Sequence, residues 1–371
     1  MFIDAVELYY VELPLKQDFP GNSDATLQTV LVRLDSGPHS GWGEASPGNA
    51  PRRNGEWAGG VFQTLKTWFA PAILGQRIDT GEALQEHLEP FRGNAFAKSA
   101  LDIAWWDLAS RIDEKPLHET IGANRDSVPL GLSFDREDST EAFLARIKKA
   151  LDDGYSRIEL KFRPGWEIDM LRFVRSEVEI PHLHIDCEAG LRLDHLDIFH
   201  RLDDFFLTMI KQPLAADDLV GHAMLAEEIT TPICLDDSIT TLQQAEMAAE
   251  LKSCQTINLK LGRLGGITPA LTIADFCQEA QLDCYVGTDL QSAIGQRAGL
   301  ALAARDQFTY PTDFIVSTDR FEADLADPIS TDLIDGRRCA QLSPAPGLGI
   351  IPAPDRLERY TVHHTRIGTG N

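Results

Sequence analysis

None of the six cysteines, Cys187, Cys234, Cys254, Cys277, Cys284 and Cys339, stands in a CxxC or CxH spacing, so no thiol metal site or redox pair is expected. Several lie in apolar, strand-like runs and read as small core residues with reduced thiols. No apolar run approaches the ~18 residues of a membrane span. The N-terminal MFIDAVELYYVELPL carries early acids and lacks the basic stretch of a leader, so the expected location is the cytoplasm. Positive charge is scarce too: 34 Lys and Arg face 57 Asp and Glu, a net charge of −23. Such a field repels phosphate backbones and anionic lipid, which excludes nucleic acid and membrane as expected partners.

The chain does have the material for a large core, with 43% hydrophobic and 25% charged residues. Its 371 residues suit a barrel of ~250 residues plus a smaller unit. Residues 2–12 and 27–34 run apolar or alternate as strands do. The turn Asp35-Ser36-Gly37 before Gly41-Trp42-Gly43-Glu44 has hairpin chemistry. From 55 to 111 the pattern becomes helical, clearest in KSALDIAWWDL, where apolar positions repeat at three and four. Strands followed by helices describe an α+β capping domain over residues 1–122.

Short β-branched runs separated by helical stretches begin at Val128-Pro129-Leu130-Gly131-Leu132. A charge closes each of the next five: Lys161 in IELKF, Asp186 in LHID, Lys211 in TMIK, Asp236 in ICLD and Lys260 in INLK. They are spaced 25, 25, 25 and 24 residues apart. That interval holds a strand, a turn and a helix of ~10–14 residues. A steady interval favours a closed (β/α)₈ barrel of the α/β class, in which every strand end faces one mouth. Cys284-Tyr285-Val286-Gly287 is expected as the seventh strand and Phe314-Ile315-Val316 as the eighth. The barrel is expected over residues 123–322, with 323–371 packing back to complete the capping domain.

Strand side chains alternate faces, so Lys161 with Arg163, and Asp186 with Glu188, point the same way. Acids on strands three and five with cations on strands two and six suit the removal of a proton next to a carboxylate. Carboxylate oxygens on separate strands suit a hard ion such as Mg²⁺. A lysine base must have a pKa below its usual ~10.4, and a neighbouring cation is one means of lowering it. Asp289, in GTDLQS, is placed either to touch substrate or to cap the following helix. Asp237 should face away from Asp236, and His184 reads as a packed barrel histidine. GRLGGIT after Lys260 reads as a tight βα turn.

The segments KSALDIAWWDL, IELKFRPGWE, LHIDCEAG, ICLDDSI, INLKLGRLGG, STDRFEADL and PGLGI resemble the enolase superfamily over nearly the whole chain. They are most similar to its muconate-lactonizing subgroup and to o-succinylbenzoate synthase-like members. The resemblance implies a lyase or isomerase that handles a proton alpha to a carboxylate through an enediolate, a Mg²⁺ cofactor, a small carboxylate substrate and a homo-oligomer. It places Lys-x-Lys on strand two, read here as Lys161-Phe162-Arg163, acids ending strands three to five, and a lysine on strand six, matched by Lys260. The loop 16–23 resembles the family's capping loop, with Phe19 as a substrate-contact candidate.

Two positions depart from that pattern. Arginine stays protonated, so Arg163 reads as a clamp for a substrate carboxylate, with Lys260 as the base. Lys211 stands where the family has a metal-binding glutamate, and an ammonium repels Mg²⁺. Two expectations stay open: Mg²⁺ held by Asp186, Asp236 and Glu188, or no metal, with the Lys211 ammonium in its place and open to substrate. Glu188 would either replace the lost ligand or pair with Lys211. Four cations, Lys161, Arg163, Lys211 and Lys260, against Asp186, Glu188 and Asp236 are nearly balanced without metal. The alternative function is a catalytically inactive or repurposed barrel that binds a small carboxylate.

Overall fold

The computed structural model describes residues 1–16, 24–52, 54–135, 137, 139–162 and 168–368. Three strands, β1 (Ala5–Pro14), β2 (Thr26–Ser36) and β3 (His39–Ala45), form an antiparallel meander, turned at Gly37 with φ of 54°. Helix Ala95–Ile112 lies across this sheet through a face of small residues, Ala97, Ala100 and Ala104, all fully buried. The helix comes this close because β3 offers glycines. A Cβ on Gly43 would stand 2.1 Å from the Ala100 carbonyl oxygen, and one on Gly41 2.3 Å from that of Ala104.

The barrel begins with β4 (Ser127–Phe134) and continues through β5 (Arg157–Lys161), β6 (His182–Asp186), β7 (Ile210–Lys211), β8 (Ile233–Leu235), β9 (Thr256–Leu259) and β10 (Asp283–Val286), each parallel to the one before. The eighth strand is β11 (Thr312–Asp313), which pairs with β4, while the Thr312 hydroxyl donates to the Val286 carbonyl of β10 and so closes the ring. Phe314, Ile315 and Val316, expected to be this strand, follow it and are only half-buried. The strand was misplaced because its residues are polar: Asp313 faces a polar interior, where it pairs with Arg157.

A hairpin of β12 (Thr331–Ile334) and β13 (Arg337–Gln341) extends antiparallel from β4, and β14 (Thr361–Gly368) pairs with β1. Buried carboxylates fasten the capping domain to the barrel, to itself and to the C-terminal segment. Glu44 accepts from Ser292 and Gly295 at the start of helix Ala293–Ala303, where a negative charge also meets the helix dipole. Asp102 accepts from the Thr268 amide at 3.0 Å, and Asp107 from the Trp42 and Leu348 amides at 2.7 and 2.6 Å. On either side of the loop before β2, Leu15 bridges Phe321, and Asn49 donates to the Thr26 carbonyl at 2.7 Å.

All six cysteines are buried and unpaired. No described helix is long and apolar enough to cross a membrane. The glycine contact of β3 carries a direct test: Gly43→Ala should cost about 1–3 kcal/mol of stability through overpacking, read as a lowered midpoint in denaturant melts.

Candidate active site

Lys161, Asp186 and Lys211 are the last residues of β5, β6 and β7, and Asp236 and Lys260 each stand one residue past β8 and β9. Parallel pairing sets Lys161 level with Asp186, and Asp186 level with Lys211. Lys211 is level with Cys234 and Cys234 with Thr256, so Asp236 and Lys260 stand two and four residues further along, and the five charges follow one another around the C-terminal ends of the strands. Lys161 and Lys260 lie four strands apart, on opposite sides of an eight-stranded ring.

At the centre is Lys211. Its Nζ lies 2.6 Å from Glu159 Oε2, 3.0 Å from Asp186 Oδ2 and 3.9 Å from Asp236 Oδ2. The side chain is 2% exposed, so the ammonium is closed in by carboxylates, where the sequence suggested a group open to substrate. Burial alone would push its pKa down, but Asp186 and Glu159 outweigh that and hold it well above the usual lysine value. Burial would likewise raise the Glu159 carboxyl, yet Lys211 and Lys161 hold it well below the usual range. The two groups are thus both charged.

Glu159 was not expected, although it is two residues before Lys161 and so on the same strand face. It is 1% exposed and takes Lys161 at 3.3 Å besides Lys211. Beneath it, His184 Nε2 lies 2.8 Å from Glu159 Oε2, and His184 Nδ1 lies 3.1 Å from the Tyr310 hydroxyl. Burial lowers the His184 pKa, so the ring is neutral, as a packed barrel histidine should be. Fully buried Arg157 pairs with Asp313 and lies over the rings of Tyr285 and Tyr310 at 5.7 and 6.0 Å.

The mouth-facing groups are Lys161 and Lys260, 19% and 15% exposed, with Glu188 and Asp289 beside them. Lys161 Nζ is 2.6 Å from Asp186 Oδ2 and 3.1 Å from Glu188 Oε1. Glu188, with φ of 45°, has left the strand geometry and reaches Lys161. Lys260 Nζ is 3.2 Å from Asp236 Oδ2 and 3.8 Å from Asp289 Oδ1. The helix after Asp289 is capped by Ser292 instead, which leaves Asp289 at the mouth. Arg263, read from sequence only as part of a tight turn, donates to Asp236 and lies 2.7 Å from Asp237 Oδ1. Its signal was its position one helical turn after Lys260. Phe19 and Arg163 lie outside the described residues.

The expected lowering of the lysine base is reversed. Burial acts downward on Lys260, but Asp236 and Asp289 raise it above the usual value; on Lys161, Glu159 and Asp186 do the same. The Lys-x-Lys reading also shifts. β5 ends at Lys161, level with Asp186, and the two residues of its inner face that meet the acids are Glu159 and Lys161. If the family's Lys-x-Lys is the inner-face pair that meets the acids, it falls on Glu159-Leu160-Lys161, with Lys161 as its second lysine.

These residues do not fit Mg²⁺, which needs oxygens at ~2.0–2.1 Å in an octahedral arrangement. Asp186 Oδ2 already meets two ammonium groups, and Asp236 Oδ1 meets Arg263 and the Asn258 amide at 3.2 Å. Among the described residues no group of three or more His, Cys, Asp or Glu could hold a metal ion. The set of Asp186, Asp236 and Glu188 fails as a cage because each carboxylate is turned to a cation.

The chain matches the mandelate racemase/muconate lactonizing enzyme N-terminal domain over residues 7–122 and the enolase C-terminal domain-like family over residues 142–356. It is 36% identical to an N-succinylamino acid racemase of Thermus thermophilus, over 98% of both chains. It is 33% identical to an o-succinylbenzoate synthase of Bacillus subtilis, over 96% of both. A crystal structure of an enolase superfamily member from Listeria innocua superposes with a TM-score of 0.93 at 29% identity, over 99% of each chain. The two-part fold, the ordered charges of the mouth and these full-length matches to enzymes together mean that the chain belongs to the mandelate racemase/muconate lactonizing enzyme family of the enolase superfamily.

Proposed function

We propose that this protein is a cytoplasmic lyase or isomerase that moves a proton alpha to the carboxylate of a small substrate, using Lys161 and Lys260 as its acid and base and no divalent ion. The observation that carries this reading is the placement of Lys161 and Lys260 on opposite sides of the mouth, each partly open to solvent. A racemisation needs a donor and an acceptor on opposite faces of one carbon. An elimination needs one base, with a second cation steadying the enediolate. The activities of the relatives, a racemase and a synthase of o-succinylbenzoate, support this pair of chemistries.

Enediolate charge would be met by the ammonium groups of Lys161 and Lys260 as donors, with the buried Lys211 ammonium beneath them adding fixed positive field. Asp289 and Glu188 would orient the two lysines, and Arg163 would hold a distal carboxylate. A second reading, a barrel that binds a carboxylate without turning it over, is favoured by one observation: Asp186 and Asp236 are each already paired with two or more cations.

Incubating the chelator-treated protein with a panel of N-succinylamino acids in D₂O separates these readings. Loss of the α-proton signal by NMR is expected without added Mg²⁺. Exchange that appears only with Mg²⁺ refutes the metal-free reading, and calorimetric binding without exchange supports the binding barrel. Lys161→Ala and Lys260→Ala should each slow exchange by about 10²–10⁴-fold.

The pH dependence follows from the charges around the two lysines. Lys161 faces Glu159, Asp186, Glu188 and Lys211; Lys260 faces Asp236, Asp289, Arg263 and Lys211. Carboxylates dominate in both cases and raise both groups, so the neutral, basic form gains population only as pH rises. kcat/KM should climb toward the ordinary lysine value of about 10.4 with no plateau near neutrality. A rate profile that levels off near pH 7 would count against a lysine base.

A further inference from the structure

Placed on the two inner-face residues of β5 that meet the acids, Glu159 and Lys161, the family's Lys-x-Lys would have a lysine at 159, and the resemblance puts a metal-binding glutamate at 211. This chain has the opposite charge at both, and the two side chains meet at 2.6 Å with 1% and 2% exposure. Either change alone would be costly. A glutamate at 211 beside Glu159 and Asp186 would gather three buried carboxylates around the single ammonium of Lys161, and a lysine at 159 would press further ammonium groups against Lys211 in a dry site. The exchange is also built into its surroundings. His184 backs Glu159 at 2.8 Å, and Arg157 lies 3.9 Å from the same carboxylate oxygen. Arg157 in turn fits only because residue 131 of β4 is glycine, where a Cβ would stand 2.1 Å from Arg157 Nε.

We propose that Glu159 and Lys211 are a transposed ion pair that gives the site a permanent internal cation beside Asp186, so that the chain excludes divalent ions and regains a metal site only when both charges are exchanged back together. This rests on the metal-free half of the proposed function, and it names the residues that make the site so. The Lys211 ammonium donates to Glu159 and Asp186 and lies 3.9 Å from Asp236, between the strands that carry the two retained acids.

The test uses the full chain as wild type, Glu159→Lys, Lys211→Glu and the double variant, read by Mg²⁺ titration calorimetry and by melting with and without Mg²⁺. The wild type should bind no Mg²⁺ and show no Mg²⁺-dependent shift. Each single variant should melt roughly 5–10 °C lower, and the double variant should recover most of that loss and bind one Mg²⁺ per chain. Stoichiometric Mg²⁺ on the wild type overturns the proposal, as does a double variant that binds none or melts no higher than the worse single one.

If the charge-exchanged double variant does not fold, the neutral set Glu159→Gln, Lys211→Met and their combination decides the pairing. The combination should melt above either single variant, and additive losses overturn the proposal. None of these readouts depends on turnover. An inactive wild type would end the enzyme reading and leave the transposed pair standing, while additive losses would end the pair and leave the enzyme reading untouched.

Discussion

A lysine ammonium that is 2% exposed and enclosed by carboxylates sets the terms for everything around it. Desolvating an ion costs several kcal/mol even after relaxation, so Lys211 can stay charged only if acids meet it closely. Asp186 and Glu159 do so at 3.0 and 2.6 Å. They are themselves buried and need further cations, which Lys161 supplies to both. The demand then spreads outward: Asp236 takes Lys260 and Arg263, and Arg263 takes Asp237 at the rim. Each layer is the condition for charge in the layer below it.

The fold makes this lattice possible by bringing strand ends into register. Parallel pairing sets Lys161, Asp186 and Lys211 side by side, and closure by β11 brings Asp313 to Arg157 beneath them. A polar interior of this kind leaves little apolar material for the barrel itself. Among the described residues, Met209, Cys234 and Tyr285 with Tyr310 form a small cluster separate from the main core. The barrel is therefore held from outside by helix packing and from within by ion pairs.

Much of this was legible from the sequence because the βα interval repeats, and a repeat of 25 residues has few structural solutions. The charge that ends each strand followed from the same beat. What escaped notice did so for identifiable reasons. Glu159 stands mid-strand in IELKF, where the 25-residue repeat is carried by the closing Lys161 and an inward residue two positions earlier has no spacing signal of its own. Asp313 sits in a two-residue strand too short and too polar to show a pattern, so the apolar residues after it drew the assignment. Arg263 looked like part of a turn because its neighbours are glycine-rich, yet one helical turn from Lys260 is close enough to share Asp236. Glu188 was placed by strand alternation that the backbone abandons at φ of 45°.

Full-length identity of 33–36% to enzymes of this family settles ancestry and architecture, but the chemistry depends on a handful of positions. Reversing the charge at 159 and 211 leaves the local sum of charges unchanged, which is why the barrel tolerates it. It does change which atom faces the reaction, since a bound divalent ion presents open coordination positions to a substrate oxygen whereas an enclosed ammonium does not. In the metal-free reaction proposed above, the positive charge that a substrate can touch is carried by Lys161 and Lys260, the same two groups proposed to move the proton. A lysine that stabilises an anion by staying protonated cannot at that moment serve as a base, so the two lysines must hold different protonation states during turnover. The unequal neighbours already in place, Glu159, Asp186 and Glu188 around one and Asp236 with Asp289 against Arg263 around the other, are the means by which the site can tell them apart.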